Sequence, residues 1–340
     1  MPMLRTITTD PWNAEASLAS LRGECTPTAA FYVRNNFVPP VIDPDRWRLA
    51  VRGAVARPIE LDLAMLRSLP RVERRVTLEC AGNGRVLLDP PAPGTQWGLG
   101  AAGTALFAGV RLADVLDNAG VRPEAVECVF TGADRGAVPD HGVVPFQRSL
   151  PIDVARGQDP LLVWEMNGAP LTRDHGFPVR LIVPGWYAVA SVKWLTDIEL
   201  VEQPFAGHFQ LDRYVYVKDG VIVEPVSTMR VRSLITSHSD GDAVRPGLLR
   251  IEGVAWSGAH PIERVEVSVD EDTWVAARIE GVSRAGVTVG WSADVELTRG
   301  SRRIRVRATD AGGATQPARA DWNELGYGNN AIQEVTLVVG

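Results

Sequence analysis

Val76-Thr77-Leu78-Glu79-Cys80-Ala81-Gly82-Asn83-Gly84-Arg85 changes character at its midpoint. The first four residues alternate in the manner of a strand, and small, turn-prone residues follow at once. A thiol is thereby presented at a strand end, where the backbone can pass close to a bulky ligand. Arg85 closes the run and supplies a cation that lowers a thiol pKa and attracts an anion. A soft thiolate in that setting suits metal ligation or nucleophilic attack. A buried structural cysteine is the alternative reading of the same residues.

The chain around this run has 340 residues, more than one hydrophobic core usually serves, so two domains are expected. With 45% hydrophobic and 22% charged residues it has the composition of a globular protein, and with a net charge of −6 nothing points to broad nucleic-acid or membrane-surface binding. Five histidines and three cysteines leave little scope for an all-protein zinc or haem site, and no CxxC or HExxH occurs. Cys25, Cys80 and Cys128 are widely spaced and odd in number, against a disulfide framework. No apolar run reaches the roughly 18 residues of a membrane span. The opening Met1-Pro2-Met3-Leu4-Arg5-Thr6 is too polar for a signal peptide. A cytoplasmic location is expected, with a trimmed leader left open.

Residues 1–30 read as a lead-in with a short helix around Ala14–Leu21. Trp47–Val51 carries strand signals, Asp62–Leu69 reads as a short helix closed by Pro70, and Val110–Asn118 as another ending at Gly120. Val126–Phe130 alternates as a strand in which Cys128 is packed; Leu161–Glu165 and Val179–Val183 are further apolar runs of strand length. Interleaved short strands and helices, rich in Pro and Gly, indicate an α+β fold, and no GxGxxG supports a dinucleotide site. After about residue 224 the texture becomes all-β. Leu248–Val254, Arg264–Val269, Thr273–Ile279, Val287–Val295, Arg302–Ala308 and Glu334–Val338 read as strands of a sandwich. The expected division is 20–224 and 225–340, with Trp322–Asn330 a polar, glycine-containing loop before the last strand.

Four further clusters carry chemistry: Tyr32-Val33-Arg34-Asn35-Asn36; Arg173-Asp174-His175-Gly176-Phe177-Pro178-Val179-Arg180; Ser191-Val192-Lys193-Trp194; and His208-Phe209-Gln210-Leu211-Asp212-Arg213-Tyr214. Singly, each has a structural reading, and Trp164 and Trp194 read as core aromatics. Together they gather cations and hydrogen-bonding groups around one thiol, which suits an anionic, phosphate-bearing cofactor. Arg34-Asn35, Cys80-Ala81-Gly82-Asn83, Trp164-Glu165-Met166-Asn167-Gly168, the Arg173–Arg180 run, Val192-Lys193-Trp194 and Trp322-Asn323 agree in order and spacing with one family. The chain resembles the sulfite oxidase family of molybdenum enzymes over nearly its whole length.

The resemblance implies a mixed α/β molybdopterin-binding domain followed by an immunoglobulin-like dimerisation domain. It implies Cys80 as the protein ligand of molybdenum. It implies Arg34, Asn35, Asn36, Asp134, His175, Arg180, Ser191, Val192 and Lys193 as the molybdopterin-binding set, with Arg180 and Lys193 at the phosphate. Arg85, Trp97 and Tyr214, with Arg34, would line the substrate pocket. The implied activity is oxygen-atom transfer at a Cys-ligated molybdenum centre, oxidising a small oxyanion such as sulfite. The electron acceptor would be external, dioxygen or a separate cytochrome, since no CxxCH motif or haem module is visible; the partner would be a second copy of the chain. The alternatives are a reductase of nitrate or of S- or N-oxides, and a cofactor-carrying subunit without turnover. Two departures bear on the substrate. Gly84 stands where many sulfite-oxidising relatives have the first of two arginines. Glu334, or Gln333, stands where relatives bring an arginine into the pocket from the dimerisation domain, with Arg135 or Arg111 as possible substitutes. Weaker sulfite binding is expected.

Overall fold

The computed structural model describes residues 4–270 and 273–340, so the first three residues of the polar opening run lie outside it. The hairpin Leu4–Thr9/Trp12–Ala16 leads into two antiparallel-rich sheets. One runs in the order Ala169–Pro170, Leu161–Met166, Ala102–Arg111, Arg71–Glu79, and Arg180–Ile182 also pairs with Leu161–Met166. The other runs Ile59–Leu61, Leu49–Gly53, Leu195–Val201, Glu127–Val138, Gly142–Pro151; its pairing of Leu49–Gly53 with Leu195–Val201 is parallel. Helices are few. Leu63–Arg67 is capped by the Asp62 carboxylate, which accepts from Met65 N at 2.7 Å. Leu112–Ala119, at eight residues the longest among those described, ends on Gly120 with φ +73°. Strand therefore outweighs helix by more than an evenly interleaved α+β reading implies.

The expected helix at Ala14–Leu21 is corrected. Trp12–Ala16 is a strand, and only Leu18–Leu21 turns, as a 3₁₀ segment. The pairing partner, Leu4–Thr9, lies across a tight turn, and its ladder outweighs a local preference that short segments cannot enforce. The run Thr273–Ile279 is likewise two short strands, Val275–Ala276 and Arg278–Glu280, on different sheets.

Beyond the small hairpin Val215–Lys218/Val221–Pro225, two sheets pack face to face. The first comprises Arg232–Ile235, Gly247–Trp256, Val289–Leu297 and Arg278–Glu280; the second Ala243–Val244, Gln333–Val339, Gly300–Asp310, Ile262–Val269 and Val275–Ala276. Ile235, Ile251 and Val295 from one sheet meet Val265, Val306 and Leu337 from the other in a shared core. Each such side chain contributes roughly 1.5–3 kcal/mol by leaving water. The alternation of buried and open residues along Gln333–Val339 marks it as half-buried sandwich strand.

The largest core does not stop at the junction. Leu234, Val254, Trp256 and Tyr327 of the second part join Leu49, Ile198, Tyr214 and Tyr216 of the first. A separate apolar cluster of Phe31, Tyr32, Leu78, Trp97, Phe107, Leu161 and Ile182 surrounds Cys80. No helix among the described residues is long and apolar enough to cross a membrane.

Candidate active site around Cys80

Cys80 follows the last residue of strand Arg71–Glu79, and its amide donates to Ala101 O at 2.9 Å. Asn83 holds the loop: its Oδ1 accepts from Ala101 N at 3.1 Å and its Nδ2 donates to Glu79 Oε1 at 3.0 Å. The small residues have a steric reason. A Cβ on Gly82 would stand 2.7 Å from the Arg85 guanidinium. Gly84 has φ +80°, and a Cβ there would press on Asn329 and Leu99 at 3.2 and 3.3 Å. An arginine at position 84 would therefore be strained in this loop, with Asn329 and Leu99 displaced by a few tenths of an ångström. All three cysteines are free, and Cys80 is buried, 6% exposed as a residue. Its pKa is pushed up by burial, against the pull of Arg34, the Gly82 amide and Arg85.

Two cavities meet at this thiol, sharing Arg34, Asn36, Cys80 and Tyr214. The first is lined by Asn35, Asp134, His175, Arg180, Ser191 and Lys193 in addition. These residues come from separate elements: the loop after the N-terminal hairpin, the strand Glu127–Val138, the turn Arg173–His175 and the segment around Ser191. Lys193 Nζ donates to Asn35 Oδ1 and, at 2.8 Å, to Asp174 O, and lies 4.2 Å from the Trp194 ring centroid. Arg180 donates to His175 O at 3.0 Å and Ser191 O at 2.9 Å. Trp194 and Tyr214 hold left-handed backbones, φ 50° and 56°, each costing about 1 kcal/mol or more.

This cavity gathers polar groups that the protein leaves unsatisfied. His175 Nδ1 is 2.7 Å from Thr172 Oγ1, but Nε2 has no hydrogen-bond partner, nor have Asp134 Oδ1 and Arg180 Nε. Burial, then Lys193 and Arg180, lowers the His175 pKa to about 3, so the imidazole is neutral. Burial raises that of Asp134 to about 6, against the pull of Lys193. Lys193 is lowered by burial and then by Arg180; Arg180 itself is lowered to about 10 by burial. Buried groups of this kind call for a partner. Cations beside an uncommitted acceptor suit an anionic ligand that also donates N–H bonds.

The second cavity, of about 310 Å³, adds Arg85, Trp97, Arg213, His208, Leu325 and Tyr327 to the shared residues. Arg34 Nη2 is 2.6 Å from Asn36 Oδ1 and 3.3 Å from Tyr214 Oη, and Tyr214 Oη donates to Asn36 Oδ1 at 3.2 Å. Arg85 donates to Thr95 O at 2.8 Å and Leu325 O at 3.1 Å, with its guanidinium 5.0 Å from the Tyr327 ring centroid. Tyr327 stacks on Tyr214 at 5.2 Å.

Of the residues named from sequence, Arg34, Asn35, Asn36, Cys80, Arg85, Trp97, Asp134, His175, Arg180, Ser191, Lys193 and Tyr214 line one cavity or both. Val192 lines neither; it is buried, and its carbonyl accepts from Leu181 N at 2.8 Å. The suggested substitutes Arg111 and Arg135 line neither. Glu334 pairs with Arg303 at 3.6 Å, and Gln333 accepts from Ile235 N at 2.5 Å, so neither is in the cleft. The second cavity also holds Arg213, which lies beside Tyr214 in the His208–Tyr214 run, and Tyr327, from the polar loop before the last strand.

Comparisons with known proteins match both parts of the chain. The family described as "Oxidoreductase molybdopterin binding domain" matches residues 35–209, and that described as "Mo-co oxidoreductase dimerisation domain" matches 223–339. Mitochondrial sulfite oxidase of Homo sapiens is 35% identical over 99% of this chain, which spans 66% of that protein's length. Sulfite oxidase of Arabidopsis thaliana is 31% identical over 100% of this chain and 95% of its own. The sulfane dehydrogenase SoxCD of Paracoccus pantotrophus superposes with a TM-score of 0.87 at 28% identity, covering 98% of this chain and 88% of its own. A motif set in matching order, both domain families and a relative aligned over nearly its whole length place the chain in the sulfite oxidase family of molybdopterin-dependent oxidoreductases.

Proposed function

We propose that the protein oxidises a small sulfur oxyanion, sulfite foremost, by oxygen-atom transfer, with electrons leaving to an external acceptor such as dioxygen or a separate cytochrome. The observation that carries this reading is the position of Cys80 where two differently furnished cavities meet. The first fits a molybdopterin: its unpartnered Asp134 Oδ1, His175 Nε2 and Arg180 Nε await a polar ligand, and Lys193 and Arg180 supply positive charge for a phosphate. Arg34, Asn35, Asn36, Asp134, His175, Arg180, Ser191 and Lys193 would hold the pterin; Val192, which lines neither cavity and has both backbone groups paired within the protein, leaves that set. Cys80 as thiolate would be the protein's metal ligand. When bound, the cofactor supplies two-electron oxygen-atom transfer.

The second cavity serves the substrate. Arg34, Arg85 and Arg213 give it fixed positive charge, and Trp97 forms a buried wall. The Tyr214 hydroxyl is a donor that can turn from Asn36 to a bound oxyanion. Arg85 is held by backbone carbonyls and an aromatic face, so it reaches the substrate already oriented. No arginine comes from the last strand, so sulfite affinity should fall below that of relatives that have one. The dimerisation domain supports a homodimer.

The test is expression in a molybdopterin-competent host, aerobic purification, metal analysis and a sulfite:ferricyanide assay. Stoichiometric molybdenum with sulfite-dependent turnover is expected; Cys80→Ser, offering a harder and poorly ionised ligand, should abolish turnover. Full activity in that variant overturns the reading. Reduction of nitrate is the second reading, supported by a nitrate reductase of Hordeum vulgare 32% identical over 97% of this chain. It predicts nitrate-dependent oxidation of a reduced viologen dye and no sulfite turnover.

A further inference from the structure

The rim of the second cavity carries a donor cluster that the Cys80 chemistry does not use. His208 and Asp212 stand one helical turn apart, at the start and just past the end of the segment His208–Leu211. His141 reaches them from the turn joining strands Glu127–Val138 and Gly142–Pro151. His141 Nε2 and His208 Nδ1 each lie 3.0 Å from the same Asp212 oxygen, Oδ2. The two imidazole centroids are 5.0 Å apart, and the three donor atoms fall within 4.8 Å of one another. With zinc bonds of roughly 2.0–2.1 Å, tetrahedral donors sit roughly 3.3 Å apart, so two of the three separations are already close to that scale. No lysine or arginine among the described residues is ion-paired with Asp212. The His208 side chain is only 11% exposed, and its ring is fixed edge-on against Phe209 at 4.9 Å. His141 and Asp212 are half-open, leaving room for a water ligand.

We propose that His141, His208 and Asp212 form a binding site for a divalent transition-metal ion of the zinc class, completed by water. Two imidazoles and one carboxylate select zinc, cobalt or nickel over magnesium and calcium, which prefer all-oxygen shells. Ala137–Pro139 and His208, Arg213 and Tyr214 all border the Cys80 cavity. An ion held here ties the hairpin turn to the helical turn across that border and adds positive charge where an anion enters. The site does not depend on the molybdenum reading.

The experiment titrates the purified holoprotein with Co²⁺, reads the visible absorption of a low-coordinate cobalt site, and then displaces the ion with Zn²⁺. One saturable site is expected in the wild type. His141→Ala and Asp212→Asn should each weaken it by more than the roughly tenfold that loss of an outer-shell partner costs. His141 is on an exposed turn, so its removal spares the fold. His260→Ala, changing a histidine outside the cluster, should leave binding intact. Equal cobalt binding in His141→Ala and wild type overturns the proposal. So does loss of binding in His260→Ala, or loss in Cys80→Ser with retention in His141→Ala.

Discussion

His175 and Asp134 face the same cavity with opposite dependences on pH. The His175 pKa falls from 6.5 to about 3 on folding, so between those values the unfolded chain holds the extra proton. Its contribution to stability is complete above 6.5 and is lost as pH falls, by up to about 1.4 kcal/mol per unit. Asp134 rises from 3.8 to about 6, so its contribution is present at low pH and is lost as pH rises through that window. The two partly cancel in the wild type, and the difference from His175→Gln isolates the histidine. Relative to its value near neutrality, the urea midpoint about two units lower should be higher in that variant than in the wild type. An unchanged acid slope would mean that His175 is solvated.

At Arg85 the expectation is kinetic. Arg85→Ala should raise the Michaelis constant for an anionic substrate about tenfold or more at low salt. Tyr214→Phe should lower kcat more than it changes KM. Steady-state kinetics of both variants separates positioning charge from the hydroxyl, and unchanged anion kinetics in Arg85→Ala removes it from the pocket. Arg34, Cys80, His175, Arg180 and Lys193 were readable from sequence because each stands in a short run with a recognisable neighbour. Arg213 was not, since an arginine beside a tyrosine looks solvated until the cavity wall is seen.

Among the elements, strand Arg71–Glu79 carries an unusual end. Glu79 is fully buried; its Oε1 lies 2.7 Å from Arg232 Nε and its Oε2 accepts from Trp256 Nε1 at 2.9 Å. Arg232 also donates to Asn329 O, and Asn329 Nδ2 donates to Gly84 O at 2.7 Å. The sandwich thereby grips the loop that presents Cys80. Arg232→Met should cost about 3–5 kcal/mol, because Glu79 is left charged without its counter-ion. Adding Glu79→Gln should recover much of that loss. Chemical denaturation of both variants decides it, and a single-variant loss under about 1 kcal/mol would show that the pair does not hold the loop. The strands of the sandwich were legible because alternation is local. The hairpin at Leu4–Ala16 was not, because its partner strand is set by pairing and not by propensity.

For the whole molecule, the decisive contact is Tyr327, which crosses from the second part to stack on Tyr214 and to carry Arg85. Tyr327→Ala should lower kcat/KM for the oxyanion while leaving molybdenum content unchanged; loss of metal together with activity would instead mark it as structural. Light scattering at micromolar concentration should give twice the chain mass, and a strict monomer would contradict the homodimer. The change of texture near residue 224 was visible from composition. That the later part would complete the earlier one's cavity was not, since nothing in a polar loop announces which surface it will meet.

The buried pair Glu79–Arg232 also constrains how such chains can be rearranged by inheritance or by design. A chimera that joins the first half of this chain to a second half without an arginine at position 232 brings a carboxylate to a seam that has lost its guanidinium. Its two halves would fold toward each other and meet as strangers. Recombination at this junction is therefore penalised unless both sides travel together, and an engineer exchanging catalytic modules must carry position 232 and the loop holding Tyr327 along with the cysteine.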